Sequence, residues 1–522
     1  MTCWLALTAV TAYLLDAIGL GVQPWASLGA ALVLTGVLAI FFPRESQFDV
    51  ADLIVWLGIV LFVSATLMRM ASPSYLPPGR GPDLTHHLLL VDYIEQNHHL
   101  VHDRSLDGAM GEMAHYTPAA HLLAVMAGRW FGSDGLHAFF PLVVICAALT
   151  AGFVFLIARR IQLPVPFAIA ATALLFLPAQ YFFGAFTHDG FLAQTVSTLF
   201  AVAMWWAVTA WDDQKSSALA CVIAVFLMAT FLAWPVWIGP PLLIFLALIR
   251  QADLVNYRRW RQLAIVIVPL LSLFLLHSMG RWGWMVIVRT SGAVLHPSFA
   301  SLGWFLPIAA AIGAFGALSD RRARITVVLL FVIALQALTL FIVAKAQGAD
   351  TPYMAFKMFY LAIYPMAVLG ALAIARLVGA ARITESLGWT VAALLLVFAT
   401  RPALTAPRTV PVVSEDLYRA GQWLRANGGA SCADYLVADA ETAYWLHLAV
   451  LGNPRSSERT KELDRFEPRA AMAPWITSEG RNYAIADLHL LPDEVRSRVD
   501  MAAQFNTAAV IRSRNAKMKG CD

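Results

Sequence analysis

The sequence predicts an all-α polytopic membrane bundle of about thirteen transmembrane helices, followed by a small extracytoplasmic α/β domain. Three observations predict it. Apolar runs of roughly 16–22 residues recur along the first 400 positions, and about 20 apolar residues are needed to cross ~30 Å of hydrocarbon. Charge is sparse: 13% of the 522 residues are charged and 59% are hydrophobic, with a mean hydropathy of +0.67, whereas a soluble domain carries roughly 25% charged residues. Finally, the hydropathy collapses from about Arg401 onward into a stretch of mixed composition.

The apolar runs fall at about 3–21, 25–42, 51–70, 137–158, 164–183, 189–211, 216–233, 236–250, 262–277, 300–318, 325–345, 356–376 and 385–400. No positive segment precedes the first, which begins near Trp4, so it reads as a retained membrane helix and not a cleaved signal. Irregular backbone cannot face lipid, which makes the spans helical. Alternate connections carry the basic residues: Arg44; Arg159 and Arg160; Lys215; Arg250, Arg258, Arg259 and Arg261; Arg321, Arg322 and Arg324; Arg376 and Arg382. Basic residues mark the cytoplasmic side, so the N-terminus is expected inside and the tail outside, in a bacterial inner membrane. The net charge of +4 follows this topological pattern and does not point to nucleic acid. Residues 1–400 are thus read as the transmembrane domain, with 71–136 as its first large outer loop, and 401–522 as a soluble outer domain.

In that outer domain, Pro402, Pro407 and Pro411 form a stiff connection. The stretch SEDLYRAGQWLRANGG reads as an amphipathic helix capped by Ser414, with Leu417, Trp423 and Leu424 on one face and Asn427-Gly428 at its end. CADYLVADAETAYWLHLAVLG reads as a strand followed by a helix. Cys432 and Cys521 are the only cysteines there and can pair in an oxidising compartment. Cys3, Cys146 and Cys221 lie in or near spans and read as packing residues.

Seven of the thirteen histidines lie in the outer loop between residues 81 and 123. There Asp83 opens an amphipathic helical stretch, LTHHLLLVDYIEQN, and its carboxylate is expected to cap it. His86 and His87 follow at three and four residues, so one of them shares a face with Asp83. An Asp and a His at this spacing can hold a divalent metal (Mg, Mn or Zn) or a phosphate; a solvated interfacial histidine is the plainer reading. Neither HxH nor HExxH occurs. Asp92 and Glu95 further along read as solvated. In AHYTPAAHLL, Pro118 suits the first turn of a helix and His121 sits on the next turn. Thr187, His188 and Asp189 occupy another outer connection, where Asp189 can cap the following span. Lys357 lies at the outer boundary of a span with Tyr353 and Tyr360 nearby. It either snorkels to the interface or contacts a phosphate, together with Arg281 and Arg289 of the preceding outer loop.

Carboxylates, histidines and cations gathered on one membrane face suit a phosphate-bearing lipid donor. An acidic residue in the first large outer loop (Asp83), an aromatic-x-Pro-x-x-His helix (Tyr116, Pro118, His121) and an outer Asp before a later span (Asp189) resemble the GT-C membrane glycosyltransferases. That group includes protein O-mannosyltransferases and the aminoarabinose transferases of lipid A. The resemblance covers roughly residues 50–380 as an order of elements. It implies a polyprenyl-phosphate sugar donor, a glycan, lipid or protein acceptor, inversion, Asp83 as general base and Asp189 as a helper. Many relatives carry a second acidic residue beside the first, whereas here Leu-Thr-His-His follows Asp83, and Glu112 is the nearby acid that can substitute. Tyr116-Thr117-Pro118 stands where aminoarabinose transferases have Glu-Lys-Pro. Two other classes fit the topology: an O-antigen ligase or polymerase using a lipid-pyrophosphate glycan, favoured by Arg281, Arg289 and His296, and a glycolipid transporter.

Overall fold

The computed structural model describes residues 1–41, 50–72, 74–79, 82–252, 254–281, 292, 294–380, 385–405, 409, 411–455, 466–477 and 482–513. The chain forms two compact units. One comprises Met1–Met70, Thr117–Leu123 and Pro141–Arg408, the other Ala71–Tyr116, Ala124–Phe140 and Thr409–Asp522.

The first unit is a helical bundle. Each of the thirteen apolar runs coincides with a helix or helices. Among the described residues, seven helices are long and apolar enough to cross a membrane: Pro24–Phe41, Val50–Ala71, Gly135–Arg160, Leu192–Gln214, Asn256–Met279, Arg321–Ala346 and Tyr353–Gly379. The other runs form shorter apolar helices, such as Thr2–Ala17 and Ser217–Ala233. Exposure separates the long helices into inner and outer ones. The apolar stretch of Leu192–Gln214 is 94% buried, whereas that of Arg321–Ala346 is only 22% buried and turns Phe331, Leu335 and Leu338 outward. So much exposed apolar surface suits lipid and not water. The run at 164–183 departs from a single span: Val165–Leu174 is followed by two four-residue helices, Ala179–Phe182 and Gly184–Thr187, with Pro178 between. Proline there lacks the N–H needed to continue the helix.

At the basic ends of the spans, charges are paired within the bundle. Arg159 Nε donates to Asp52 at 2.7 Å, Arg160 and Arg322 both reach Asp213, and Arg321 and Lys215 both reach Asp212. Asp52 and Arg160 are nearly fully buried, so each needs its partner, because an unpaired buried charge is strongly destabilising.

The second unit contains helix Pro82–Asn97, the short turns Arg104–Leu106, Asp107–Met110 and Gly111–His115, and a four-stranded sheet. The strands are β1 (Ala433–Leu436), β2 (Tyr483–Asp487), β3 (Val499–Phe505) and β4 (Ala508–Ser513), in the order β1-β2-β4-β3. β1 and β2 are parallel; β4 is antiparallel to both its neighbours. Leu436, Trp475, Ala484, Ala486 and Ile511 form one core face. Helix Glu415–Ala426 begins as expected, with the Ser414 side chain accepting from Leu417 N. The expected strand and helix after residue 432 are β1 and Ala440–Trp445.

Three expectations from local sequence are corrected. Asp83 is not the helix cap: Pro82 takes the first helical position, where its missing N–H costs nothing, and Asp83 follows inside the first turn. A carboxylate there still interacts favourably with the helix dipole. Asp189 is not a cap either, since helix Leu192–Gln214 starts after Phe191 with no side-chain cap. Asp92 and Glu95 are buried, not solvated. Arg425 donates to Asp92 at 2.6 Å, and the backbone N–H of Gly135 donates to Glu95 at 2.9 Å. The pairing of Cys432 with Cys521 falls outside the described residues, as does Arg289.

Helices Phe305–Ala317 and Tyr353–Ala380 pack closely at Gly313, where an added Cβ would lie 1.9 Å from the carbonyl oxygen of Leu369. Because that obstacle is backbone, the helices must part to admit a methyl group. Gly313→Ala is expected to lower stability by about 1–3 kcal/mol, read as a fall in the thermal unfolding midpoint in detergent; an unchanged midpoint would contradict this packing.

Candidate functional site

In the second unit the candidate residues cluster on the first turns of helix Pro82–Asn97. The helical repeat puts Asp83 and His87 on one face, with Asp83 Oδ1 4.0 Å from His87 Nε2. His87 is buried, and the Tyr116 ring meets it edge-on at 4.9 Å between centroids. Burial first, then the charges of Asp83 and Glu112, push the Tyr116 phenol well above its usual range, so it stays protonated.

His86 points elsewhere. Its Nδ1 lies 2.7 Å from Glu112 Oε1 and its Nε2 lies 2.7 Å from the Tyr444 hydroxyl. A neutral ring in this setting donates to the carboxylate and accepts from the phenol. Arg455 donates to the second oxygen of Glu112. Burial would raise the Glu112 carboxyl, but His86 and Arg455 outweigh it and hold that carboxyl far below the ordinary carboxylate range. Glu112 is thus an anion held between His86 and Arg455.

Asp83 differs from its neighbours. Its side chain is 45% exposed, and among the described residues it has no partner closer than His87. Every other acid of the loop is engaged: Asp92 and Glu95 as above, Asp103 with Ser105, and Asp107 with His115 at 3.4 Å.

In the first unit, Asp189 accepts a hydrogen bond from the Tyr360 hydroxyl at 2.9 Å, and the exposed His188 ring approaches it at the same distance. Lys357 is buried, with its ammonium over three rings: Phe191 at 3.5 Å, Tyr353 at 4.4 Å and Trp234 at 4.7 Å. Each such contact contributes about 0.5–2 kcal/mol, more when water is excluded. Snorkelling is thus replaced by an aromatic cage. Phe191 also packs edge-on against Tyr360, so Asp189, Tyr360, Phe191 and Lys357 form one continuous cluster. Arg281 ends helix Asn256–Arg281 and is buried. His121 is fully buried in helix Ala119–Phe131.

Sequence comparison finds no matching family model and no matching curated protein. Solved structures do match. AftD, an arabinofuranosyltransferase from Mycobacteria, superposes with a TM-score of 0.52 at 13% identity, over 92% of this chain and 41% of AftD.

The chain has the fold of the GT-C glycosyltransferases.

Two further GT-C structures align less well. ArnT from Cupriavidus metallidurans, solved bound to undecaprenyl phosphate, gives a TM-score of 0.48 at 14% identity over 91% of this chain and 100% of ArnT. The Archaeoglobus fulgidus oligosaccharyltransferase, solved with Zn and sulfate, gives 0.47 at 12% identity over 83% and 68%. In this chain no group of three His, Cys, Asp or Glu able to hold a metal ion occurs among the described residues. Asp83 and His87 are two donors only, and Glu112 already faces a guanidinium. This donor set does not fit a resident divalent ion.

Residues that the sequence left unmarked also enter these clusters. Phe191 and Trp234 look like ordinary apolar span residues, and Tyr444 and Arg455 lie more than 300 positions from the loop they bind. No local signal identifies them.

The paired Glu112 titrates below the ordinary 4.5 of a free glutamate. A depressed carboxyl stabilises the fold fully above that value and progressively less below it. Glu112→Gln is therefore expected to lower the unfolding midpoint at pH 7, with the gap to wild type closing as the pH falls below about 4.5. Thermal unfolding in detergent across pH 3–8 reads this, and a gap independent of pH would contradict the pairing.

Proposed function

We propose that this chain is an integral membrane glycosyltransferase. It moves a sugar, with inversion, from a polyprenyl-phosphate donor to a hydroxyl of a cell-envelope acceptor at the outer face of a bacterial inner membrane. About thirteen spans, a cytoplasmic N-terminus and an extracytoplasmic segment beyond residue 401 belong to the same reading. The observation that carries it is Asp83: a half-exposed carboxylate in a GT-C fold, in a loop whose other acids are all engaged.

The chemistry follows from that inventory. Asp83 takes the proton of the acceptor hydroxyl as its oxygen attacks the anomeric carbon. The bond from that carbon to the phosphate oxygen breaks, and its electron pair leaves with the lipid phosphate. Lys357, Arg281 and Arg289 are assigned to the phosphate, whose charge grows as the bond breaks. The aromatic cage keeps the Lys357 ammonium poorly hydrated, and an anion gains more from such a cation than from one in bulk water. Asp189 is assigned a helper role through Tyr360. No step is routed through a metal.

A general base contributes about 10²–10⁴-fold. Asp83→Asn in membranes supplied with a radiolabelled polyprenyl-phosphate sugar should lose on the order of that factor, and undiminished transfer would sink the base assignment. Lys357→Met and Arg289→Met separate the rival chemistries. With a monophosphate donor, Lys357→Met is expected to raise the donor KM about tenfold, the effect of losing ~1.4 kcal/mol, and Arg289→Met less. The reverse order, with activity on a lipid-pyrophosphate glycan, would favour the ligase.

A further inference from the structure

We propose that the segment after residue 409 serves as a positioning clamp on helix Pro82–Asn97, with Arg455 and Arg425 as its two fastening points. This rests on the reading of Asp83 as the base, since it is the helix carrying Asp83 that is held.

The first fastening is at His86, three residues beyond Asp83. Arg455 is buried, its side chain donates to Glu112 and its backbone N–H donates to the carbonyl of Ala109 at 3.0 Å. The loop is shaped around this arginine. Gly111 has φ +57°, and a Cβ there would lie 2.3 Å from Arg455 Nη1. Glu112, held by Arg455, takes one nitrogen of His86 while Tyr444 takes the other. With both nitrogens engaged, the ring cannot turn without breaking two hydrogen bonds.

The second fastening is at Asp92, six residues further on. One nitrogen of Arg425 donates both to Asp92 at 2.6 Å and to the carbonyl of Val450 at 3.0 Å. Here too a glycine of positive φ makes room: a Cβ on Gly452 would lie 2.8 Å from Arg425 and 2.9 Å from Asp92. Two attachments six residues apart lie about 9 Å apart along a helix. Together they resist both rotation and sliding, so the direction of Asp83 is set.

Stability alone is a weak reason for this arrangement. Buried ion pairs are often no more stabilising than well-packed apolar residues of equal volume, and their best-attested use is to impose one register. A helix that must aim a base within a fraction of an ångström needs such a register.

The test uses the full-length protein in detergent or nanodiscs, with labelled polyprenyl-phosphate sugar and rates normalised to folded enzyme. Arg455→Met and Arg425→Met are each expected to lower kcat about 10–100-fold, with both KM values within about threefold of wild type. Arg455→Lys should recover much of the loss by restoring a cation for Glu112. Should Arg455→Met fail to fold, the Arg455→Met/Glu112→Gln double variant, which removes both charges, takes its place with the same expectation. Wild-type kcat, or a loss confined to the acceptor KM, would overturn the clamp and make this segment an acceptor-binding element instead. Asp83→Asn is measured in parallel. If it is inactive while the arginine variants are fully active, the clamp alone falls; if it transfers at the wild-type rate, the base reading and the clamp fall together.

Discussion

Hydrocarbon cannot hydrogen-bond, and that one constraint bears on the charged groups of the helical bundle. Helices facing lipid expose rows of Leu, Phe and Ile. Charges within the bundle occur in satisfied sets, as at Asp52 with Arg159 or Asp212 and Asp213 with their arginines and lysine. Lys357 meets the same constraint differently, with the faces of three aromatic rings around its ammonium. In the outer loop, where the other acids have closer partners, Asp83 is the half-exposed carboxylate whose nearest described partner is His87 at 4.0 Å.

The outer loop shows how little a count of titratable residues says about chemistry. Its histidines suggest a metal centre, yet three of them take up separate tasks. His86 bridges a carboxylate and a phenol, His87 is buried under Tyr116 beside Asp83, and His115 meets Asp107. The acids divide in the same way. What distinguishes a candidate base from a structural anion is the partner list, and two of those partners, Arg425 and Arg455, come from the far end of the chain.

That division marks what was legible in the sequence. Helices were, because bilayer thickness imposes a run length that composition reveals directly. So were the Ser414-capped helix and the strand after it, since a cap and a short apolar pattern are local signals. Helical spacing alone put one of His86 and His87 on the face of Asp83, and that residue is His87. Asp92 and Glu95 were misread as solvated because burial there depends on Arg425, 333 residues distant, and on the Gly135 backbone. Asp189 was misread as a cap because its partner Tyr360 lies 171 residues away. Local spacing serves for faces and for the Ser414 cap but misplaces the start of helix Pro82–Asn97 by a residue, and it is silent where a remote partner sets the role.

The helix Tyr353–Ala380 carries a proline in its interior, Pro365. Its ring removes one rung of the helical ladder, the bond an N–H at 365 would make to the carbonyl of Leu361. Tyr353, Lys357 and Tyr360, at intervals of four and three on one face, all lie before that missing rung, while Leu369, pressed against Gly313, lies after it. The missing rung thus falls between the polar end, with its caged ammonium and its tyrosine on Asp189, and the tight helix pair at Gly313, so the ladder is weakest where the two tasks of this helix meet.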